Sequence, residues 1–446
     1  MTDPFVVVGG DAAGLSAASK YRRENPEGEV VVFEKGTWIS YAHCGTPYYV
    51  KGEVDHITDL LSLSPEAAEE RGIDLRREHE VVAVDTDAET VTVEGDGERF
   101  DQPYNDLLVA TGGHAVTDPI PGGEDAVDTS VPYVDTELVE NYADRAPPER
   151  VAIVGGGYVG VEMAEAFRAH GLEVHVFQRG SHILKPFGDG VCERVAAHLR
   201  EQGVDLHLNT AVSELAGGDS IEAVVHPDGR VPVGLALVGI GIAPNTDLLS
   251  GTPVELGDSG AVAVDDYGRT SVDGVYAAGD CAEARHTVTD ASTWVPLGLT
   301  ANRAGRAIGR TVAGDPEPVG DVAGTAVVKA FELESGRVGL IDHEEAASYG
   351  FDPVSVTIDA GSRSGYYPGG DETTVTLCAD RDSGRVLGGS IVGRDRAAIR
   401  IDTLATALES DLTVAELERL DLAYAPPFSP VWDPILVAAK VLRGKL

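Results

Sequence analysis

Two glycine-rich stretches about 145 residues apart constrain the fold of this chain more than any other feature. GGDAAG begins at Gly9 and GGGYVG begins at Gly155, and each lies between an apolar run and a helical pattern. Another apolar run follows each helix, VVVFE after the first and VHVFQ after the second. This order of strand, tight turn, helix and strand begins a doubly wound nucleotide-binding unit. The repeat predicts an α/β fold with two such domains.

The other segments predict how the domains follow one another along the chain. An alternating pattern at 79–95 predicts a β-hairpin, and prolines at 119, 121, 147 and 148 mark the passage into the second unit. After about residue 326 the pattern changes to short alternating strands and then helices, which predicts a third, α+β domain. We expect a first domain of 1–118 with 252–325, a second of 119–251 and a third of 326–446.

The composition is strongly acidic. The chain has 74 acidic and 34 basic residues, only seven of them lysine, for a net charge of −40. The acids are spread along the chain, and an apolar content of 43% is too high for disorder. Such a surface resembles that of halophilic cytoplasmic proteins. A charge of this size is tolerated in strong salt, because salt at 1 M screens the repulsion between charges within about 3 Å. The alternative is an acidic surface that docks a basic partner. Nucleic-acid binding is not expected, since it needs a basic surface.

Membrane insertion, secretion and metal binding are not expected either. No apolar run approaches the roughly 18 residues of a membrane span. The first residues show no basic segment before an apolar one, so no secretory signal is predicted. Four separate cysteines fit neither a disulfide framework nor a metal site and suit a reducing cytoplasm: Cys44, Cys192, Cys281 and Cys378.

The two glycine turns differ at positions that would contact a nucleotide. Gly155, Gly157 and Gly160 complete the G-x-G-x-x-G pattern, in which the amides of a helix N-terminus bind a pyrophosphate. In the first turn Asp11 stands at the middle position, between Gly9 and Gly14.

The ends of the second strands differ as well. Glu34 is the last residue of the second strand in the first unit, a position where a carboxylate accepts hydrogen bonds from ribose hydroxyls. Gln178 and Arg179 stand at the matching place in the second unit. No acid is there to repel a 2′-phosphate, and Arg179 can pair with one. This favours NADPH over NADH at the second unit.

A single cysteine stands in SYAHCGTPYYV, which begins at Ser40. We predict that Cys44 is a redox-active thiol, and that the other three cysteines are small buried apolar residues. Only a thiolate attacks a disulfide, so we expect a lowered pKa for Cys44. Candidate causes are a helix that starts near Gly45–Pro47, a bound flavin and His43, if protonated.

Two further motifs are LLVATGG at 107–113 and VYAAGD at 275–280. With these motifs, the two nucleotide-binding units and the distinct third domain, the chain resembles the pyridine nucleotide–disulfide oxidoreductase flavoproteins. The resemblance covers essentially the whole chain. It implies FAD in the first domain, NADPH or NADH in the second, and a third domain that forms a homodimer.

The motifs further resemble one branch of this family. Tyr49 stands where a two-cysteine member has its second cysteine, so the chain is similar to the single-cysteine members. Those are coenzyme A-disulfide reductases, NADH oxidases and peroxidases, and persulfide or polysulfide reductases. Ala12 replaces the histidine of the oxidases and peroxidases. The pattern of the coenzyme A-disulfide reductases recurs at 40–44, 366–369 and 423–427, with His43 in place of an asparagine.

The resemblance implies a set of site residues, each at the position that matches the family pattern. Catalytic roles fall on Cys44, Tyr366, Tyr424 and His43. FAD contacts fall on Gly9, Gly10, Asp11, Ala12, Ala13, Gly14, Glu34, Lys35, Cys44, Val82, Thr111, Gly112, Gly279 and Asp280. NAD(P)H contacts fall on Gly155, Gly157, Tyr158, Gly160, Gln178, Arg179 and Gly241. Coenzyme A contacts fall on Ser16, Lys20, Arg23, Ser40, His43, Arg71, Asn302 and Trp432.

The expected reaction is the reduction of a small disulfide by NAD(P)H through FAD and Cys44. Three alternatives stay open: an oxidase that reduces O2, a persulfide or polysulfide reductase, and an electron carrier for a redox protein. The two tyrosines are expected to approach the cysteine from the partner subunit.

Overall fold

The computed structural model describes residues 3–117, 119–122, 149–218 and 221–446. Residue 118, at the end of the first predicted segment, lies outside these ranges, as do the prolines at 147 and 148. The predicted fold class is confirmed, with two parallel sheets flanked by helices and a third domain built on an antiparallel sheet.

The first segment begins with a parallel βαβ unit. Its strand β1 consists only of buried apolar residues, as expected for a strand covered on both faces. The predicted hairpin is present as β4 and β5. The elements are β1 (Phe5–Val8), α1 (Ala12–Glu24), β2 (Val30–Glu34), α2 (Thr46–Lys51), α3 (Pro65–Glu70), β3 (Asp74–Arg77), β4 (His79–Asp85), β5 (Thr90–Gly95), β6 (Glu98–Pro103), β7 (Asp106–Val109) and β8 (Gly113–Ala115).

The second glycine turn opens a smaller parallel sheet. Its order is β11-β10-β9-β15, so β11 is an edge strand, and a three-stranded meander accompanies it. The elements are β9 (Arg150–Val154), α4 (Tyr158–Ala169), β10 (Glu173–Gln178), α5 (Asp189–Glu201), β11 (Val204–Leu208), β12 (Glu214–Gly217), β13 (Ile221–His226), β14 (Gly229–Pro232), β15 (Leu235–Val238) and β16 (Ile242–Pro244).

The chain then returns to the first sheet. There β17 (Val275–Ala277) pairs with β7, which gives the order β17-β7-β1-β2-β3. After β18 (Ala284–Arg285) and β19 (Ser292–Thr293), the long helix α6 (Gly298–Val312) packs on α1. Gly305 and Gly309 allow this approach, because a Cβ at either would lie 2.1 or 2.2 Å from a carbonyl oxygen of α1.

The third domain is a five-stranded antiparallel sheet with helices, in the order β20-β21-β24-β23-β22. The segments TTVTLCAD and RVLGGSIVG, predicted as alternating strands, form β23 and β24, but both strands are buried along nearly their whole length and so are covered on both faces. The elements are β20 (Ala326–Ala330), β21 (Leu333–Gly339), α7 (His343–Ser348), β22 (Pro353–Gly361), β23 (Glu372–Asp380), β24 (Val386–Gly393), α8 (Ala397–Glu409), α9 (Val414–Leu417) and α10 (Pro434–Arg443).

Candidate active site

The first glycine turn requires glycine at both outer positions. Gly9 has φ 111°, and a Cβ there would lie 2.1 Å from the carbonyl oxygen of Ala110. A Cβ on Gly14 would lie 1.9 Å from the carbonyl oxygen of Gly9. The turn therefore brings the start of α1 against the carboxyl end of the sheet. Helix α1 has no side-chain cap at Asp11, so its first amides are available to a ligand.

Glu34 is held at the mouth of this turn. Its carboxylate accepts hydrogen bonds from the N–H of Gly10 at 2.8 Å and the N–H of Gly36 at 2.7 Å. Lys35 beside it is exposed, and Val82 is the bulged residue of β4.

The second turn has the same backbone. Gly155 has φ 113°, and a Cβ there would lie 2.1 Å from the carbonyl oxygen of Gly239. The side-chain oxygen of Gln178 accepts a hydrogen bond from the N–H of Gly156 at 3.0 Å, as Glu34 does in the first unit. A Cβ on Gly157 or Gly241 would meet nothing within 4 Å, so open space remains beside both.

Both turns fit a nucleotide. Each combines a glycine cradle that a Cβ would fill, an uncapped helix start and a polar side chain at the end of the neighbouring strand. Arg179 is exposed next to the second site, and the ring of Tyr158 packs against Phe187 at 5.4 Å. These residues could hold FAD and NAD(P)H as the sequence predicts.

Two strand ends complete the first site. Thr111 donates its hydroxyl to the backbone oxygen of Asn245 at 2.6 Å, and Asn245 donates its amide to the backbone oxygen of Thr111 at 2.9 Å. Gly112 and Gly279 both have positive φ. Sequence reasoning did not find Asn245. No motif marks this residue, which follows β16 and is hydrogen-bonded to Thr111 just after β7.

Asp280 follows Gly279 at the first site. Burial raises the pKa of its carboxyl, His43 lowers it and Asp11 raises it further. The three side chains therefore lie close enough to influence one another's charge.

Cys44 lies in a 3₁₀ turn, His43–Gly45, just before α2. It is exposed within this chain, whereas Cys192, Cys281 and Cys378 are buried and reduced, as predicted. The expected helix start after the cysteine is confirmed, with Pro47 in the first turn of α2.

The expectation of a lowered pKa for Cys44 is wrong for the protein alone. Partial withdrawal from water raises the pKa of the thiol, and the carboxylates of Glu162, Asp280 and Asp11 raise it further. These acids come from three different elements, so the thiol lies where the first turn, the strand end after β17 and helix α4 converge.

His43 is held toward the first glycine turn. Its Nε2 lies 2.6 Å from the Oδ2 of Asp11, and its ring packs edge-on against Tyr41 at 4.9 Å. The same histidine was predicted to be catalytic and to contact coenzyme A. The structure places it in the same 3₁₀ turn as Cys44 and against Asp11, the residue at the middle position of the first glycine turn.

Helix α2 is fastened to the second unit by charged groups that the sequence reasoning missed. Tyr48 donates its hydroxyl to Glu162 at 3.0 Å. Glu165 accepts hydrogen bonds from Lys51 and Lys329, both at 2.6 Å. Burial raises the pKa of Glu165, but these two lysines bring it below its ordinary value. Only the pairing of distant residues reveals this contact, so no local pattern could have shown it.

Glu162 itself is held as a weak acid. Burial, above all, raises the pKa of its carboxyl to about 7. The hydrogen bond from the Tyr48 hydroxyl lowers this pKa, and the charge of Glu165 raises it.

Most of the predicted coenzyme A residues come together along α1. Ser16 donates to the Oδ1 of Asn302 at 2.7 Å, and Arg71 donates to the hydroxyl of Ser19 at 3.2 Å. Lys20 is buried and pairs with Glu24. Arg23 is exposed, and its Nε donates to the backbone oxygen of Ser19.

Ser40 lies next to the first turn. It has φ 47°, and its N–H donates to the carbonyl oxygen of Gly10 at 2.9 Å.

The two predicted tyrosines meet on the third domain. A hydrogen bond between the two hydroxyls, above all, raises the pKa of Tyr366, so they are in contact. Both side chains are exposed in the single chain, at 76% and 49%. Trp432 is also exposed on this domain, with the Nζ of Lys440 5.4 Å from its ring. Within the chain it does not join the α1 residues.

Arg400 holds the two tyrosine segments together. It is buried, and it donates to the backbone oxygens of Ser362 at 2.9 Å and Phe428 at 3.1 Å and to the carboxylate of Asp433 at 2.9 Å. Sequence reasoning missed it, because a buried arginine on a helix has no local signature.

Comparison with known proteins gives the family. Residues 3–297 match the family described as pyridine nucleotide-disulphide oxidoreductase, and residues 325–434 match its dimerisation domain. The chain therefore belongs to the pyridine nucleotide–disulfide oxidoreductase family, whose enzymes use FAD and NAD(P)H. As predicted, it is an NAD(P)H-dependent flavoprotein oxidoreductase.

Individual relatives resemble the chain over its whole length. One is the NAD(P)H coenzyme A polysulfide/persulfide reductase of Pyrococcus horikoshii, 38% identical over 99% of both chains. Another is the coenzyme A disulfide reductase of Staphylococcus haemolyticus, 29% identical over 95% of this chain and 96% of that one. A solved structure of the NAD-dependent persulfide reductase from A. fulgidus has a TM-score of 0.94 and 32% identity, covering 99% of this chain and 83% of that one.

Among the described residues, no helix combines the length and the apolar character needed to cross a membrane.

Proposed function

We propose that the protein reduces a small-molecule disulfide with NAD(P)H through Cys44, and that coenzyme A disulfide is the preferred substrate. The observation that carries this proposal is the position of Cys44. It is the exposed cysteine of the four, and carboxylates from both nucleotide-binding units influence its thiol. A thiol at that junction can exchange with a substrate and lie within reach of both cofactor sites.

The cofactors are assigned to the two turns. We place FAD at the turn that carries Gly9, Gly14 and Glu34, and NAD(P)H at the turn that carries Gly155 and Gln178. FAD, when bound, carries two electrons from the nicotinamide to the sulfur.

The sulfur chemistry needs only one cysteine. The Cys44 thiolate attacks one sulfur of the substrate R–S–S–R, forms a mixed disulfide and releases one thiolate, R–S⁻. Two electrons then cleave the mixed disulfide, release the second thiolate and restore the Cys44 thiolate. The hydride of NAD(P)H supplies the electron pair and one proton, and solution supplies the second proton, so that the two released thiolates leave as two thiols.

The raised pKa of Cys44 agrees with this cycle. The thiolate is formed by cleavage of a disulfide and not by loss of a proton from a resting thiol. The raised pKa therefore affects how long the sulfur stays deprotonated. Burial, Glu162, Asp280 and Asp11 all favour reprotonation when no substrate is present.

The coenzyme A site is assigned to the α1 surface. Its phosphates need local basic groups, because the whole chain carries a charge of −40. Arg23 is exposed there, and Arg71 lies close to Ser19. Because Lys20 is paired with Glu24, we assign the main phosphate contacts to the two arginines.

The protein acts as a homodimer in this proposal. The match to the dimerisation domain supports it. Tyr366 and Tyr424 are exposed together on that domain, where they can donate hydrogen bonds to the leaving thiolate at the partner subunit's active site. Trp432 is proposed to cover the coenzyme A of that same site.

Reduction of a persulfide or polysulfide is the second candidate. The relative from Pyrococcus horikoshii, 38% identical, is named for that activity and for coenzyme A. Such a reaction uses the same thiol on a substrate without a nucleotide.

We also propose that the protein works in a salt-rich cytoplasm. The net charge of −40 and the four unpaired cysteines support this.

Anaerobic NADPH oxidation in molar KCl tests the proposal. Coenzyme A disulfide and polysulfide are compared as acceptors for the wild type, Cys44→Ser and the control Cys192→Ala. We expect turnover with coenzyme A disulfide that falls at least a hundredfold in Cys44→Ser alone. Faster turnover with polysulfide would favour the second candidate. Equal rates in the wild type and Cys44→Ser would overturn both the disulfide and the polysulfide candidates. NADPH consumption that begins only after air is admitted would indicate an oxidase.

A further inference from the structure

Helices α2 and α4 contact each other through side chains placed one turn apart on each helix. Tyr48 donates its hydroxyl to Glu162 at 3.0 Å. Three residues further along both helices, Lys51 donates to Glu165 at 2.6 Å. Residues three apart share one face of a helix, so a face of α2 lies along a face of α4. Val50 adds an apolar contact, since it packs against the buried apolar cluster of the second unit.

Glu165 is the residue at which the third domain joins this contact. Lys329 of β20 donates to its Oε1 at 2.6 Å, and this is the same oxygen that accepts from Lys51. The N–H of Phe331 donates to its Oε2 at 2.7 Å. Phe331 lies in the turn between β20 and β21 and has φ 54°, in the left-handed region. One carboxylate therefore joins α2 and a turn of the third domain to α4.

The burial of Glu165 makes this carboxylate the critical group of the contact. Its side chain is 7% exposed, and that of Lys51 is 19% exposed. A buried charge is stable only when it is paired and hydrogen-bonded, and both oxygens of Glu165 accept hydrogen bonds. Lys51 also pairs with Glu53, whose side chain is 49% exposed. Because loss of a buried partner leaves an uncompensated charge, loss of Glu165 should weaken the contact far more than loss of Glu53.

The position of Glu165 along α4 links the redox cysteine to the second glycine turn. Helix α4 begins in that turn, with Gly157 as its N-cap residue, and Glu165 follows about two helical turns later. Helix α2 begins at Thr46, two residues after Cys44. A single helix therefore has the proposed NAD(P)H site at its start and holds, on one face, the helix that follows the thiol.

We propose that Glu165 is a positioning residue for Cys44: its carboxylate joins α2 to the third domain across α4 and so holds the thiol in place for disulfide exchange. This inference rests on the proposed function. A loosened α2 would displace the thiol and leave both glycine turns intact. Since displacement of a reacting group by about 1 Å can cost on the order of 100-fold in rate, the effect should fall on kcat and not on nucleotide affinity.

Hydrogen exchange and steady-state kinetics of the holoenzyme test this role. The variants are Glu165→Gln, Lys51→Met, the double variant and the control Glu53→Gln. In Glu165→Gln we expect the amides of 50–53, at the end of α2, to exchange at least about tenfold faster. We also expect kcat with coenzyme A disulfide to fall about tenfold or more, with FAD content and NADP⁺ affinity unchanged. Glu53→Gln removes only the exposed partner of Lys51 and should behave as the wild type does.

The double variant tests whether the pairing itself carries the effect. It should be no worse than Glu165→Gln alone, because the two groups act as one unit. Lys51→Met is the milder variant and decides the matter if Glu165→Gln folds poorly.

Two results would overturn the role of Glu165. One is wild-type exchange of 50–53 and wild-type kcat in Glu165→Gln, even with a lowered unfolding midpoint, since that would show a contribution to stability alone. The other is a loss of NADP⁺ affinity that accounts for the loss of rate. Absence of disulfide turnover in the wild type would overturn the proposed function, and the exchange of 50–53 would then decide whether Glu165 holds α2.

Discussion

The two glycine turns share one backbone and differ in the side chains that face a ligand. Gly9 and Gly155 have φ values of 111° and 113°, and each would meet a carbonyl oxygen at 2.1 Å if it carried a Cβ. At the middle position, however, Asp11 lies against His43 in the first turn, whereas Gly157 borders open space in the second. Backbone geometry thus fixes where a nucleotide binds, and a few side chains decide which nucleotide it is and what chemistry lies beside it.

The helices that follow the turns differ in the same way. Ser16 on α1 and Glu162 on α4 occupy equivalent places, seven residues after the first glycine of each turn. Ser16 contacts Asn302 at the proposed coenzyme A surface. Glu162 accepts a hydrogen bond from Tyr48, in the helix that follows Cys44. The first unit therefore carries the proposed substrate surface, and the second unit contacts the helix that follows Cys44.

The largest expected effect comes from a Cβ at the equivalent glycines. Gly9→Ala and Gly155→Ala should each destabilise the fold by on the order of 2 kcal/mol or more, because the new Cβ meets backbone atoms at positive φ. Gly9→Ala should also lose FAD, and Gly155→Ala should lose NAD(P)H affinity with FAD retained. Denaturant unfolding, flavin content and nucleotide titration measure these effects.

Gly157→Ala is the matched control, since its Cβ would meet nothing within 4 Å in the protein. It should keep wild-type stability and lose affinity for NAD(P)H only. Loss of FAD in Gly155→Ala with NAD(P)H affinity intact would reverse our assignment of the two cofactors.

Glu162 should make stability depend on pH. Burial raises the pKa of this carboxyl from its ordinary value of 4.5 to about 7. The folded protein then holds a proton that the unfolded chain has released, so stability is full below pH 4.5 and falls as the pH rises toward 7. The loss should amount to at most about 3 kcal/mol. Unfolding free energies across this window should flatten in Glu162→Gln and not in the exposed control Glu70→Gln. An equal slope in both variants would contradict this origin.

Arg179 should set the choice between pyridine nucleotides. Arg179→Gln should lower the ratio of NADPH to NADH efficiency about tenfold, equivalent to about 1.4 kcal/mol, because a charged partner of the 2′-phosphate is lost. Initial rates with both nucleotides measure the ratio. Lys35 follows Glu34 as Arg179 follows Gln178, so Lys35→Gln is the control that should leave the ratio unchanged. A ratio that shifts equally in both variants would exclude a specific role for Arg179.

Asp11 should have the smallest effect. Its carboxylate is one of the weaker groups that raise the pKa of Cys44, after burial, Glu162 and Asp280. Asp11→Asn should therefore lower the thiol pKa slightly, and the pH profile of Cys44 alkylation by iodoacetamide should move to lower pH. A shift to higher pH would contradict this role of Asp11.

Much of this fold could be predicted from the sequence. The turns at Gly9 and Gly155 can be recognised in the sequence, because only glycine fits where two backbone segments approach this closely. The single Cys44 and the segment with Tyr366 are also visible as local motifs. These features depend on residues that are neighbours in sequence.

What escaped prediction depends on residues that are distant in sequence. The contact of Lys51, Glu165 and Lys329 joins three domains, and Arg400 joins two loops of the third. The direction of the Cys44 pKa was wrong for the same reason. Burial, its largest cause, arises only on folding, and Glu162 and Asp280, which raise the pKa further, lie far away in the chain.

A single-turnover experiment tests the central claim, that electrons reach the substrate through Cys44. The holoenzyme is reduced anaerobically with one equivalent of NADPH per chain and mixed with coenzyme A disulfide, and flavin absorbance and the intact mass of the chain are followed together. With at least two equivalents of the disulfide per chain, the account predicts flavin reoxidation as the mixed disulfide is cleaved, and then one coenzyme A attached to Cys44 as the restored thiolate attacks a second molecule of the disulfide. Neither is expected in Cys44→Ser. Flavin reoxidation at the wild-type rate in Cys44→Ser would contradict it.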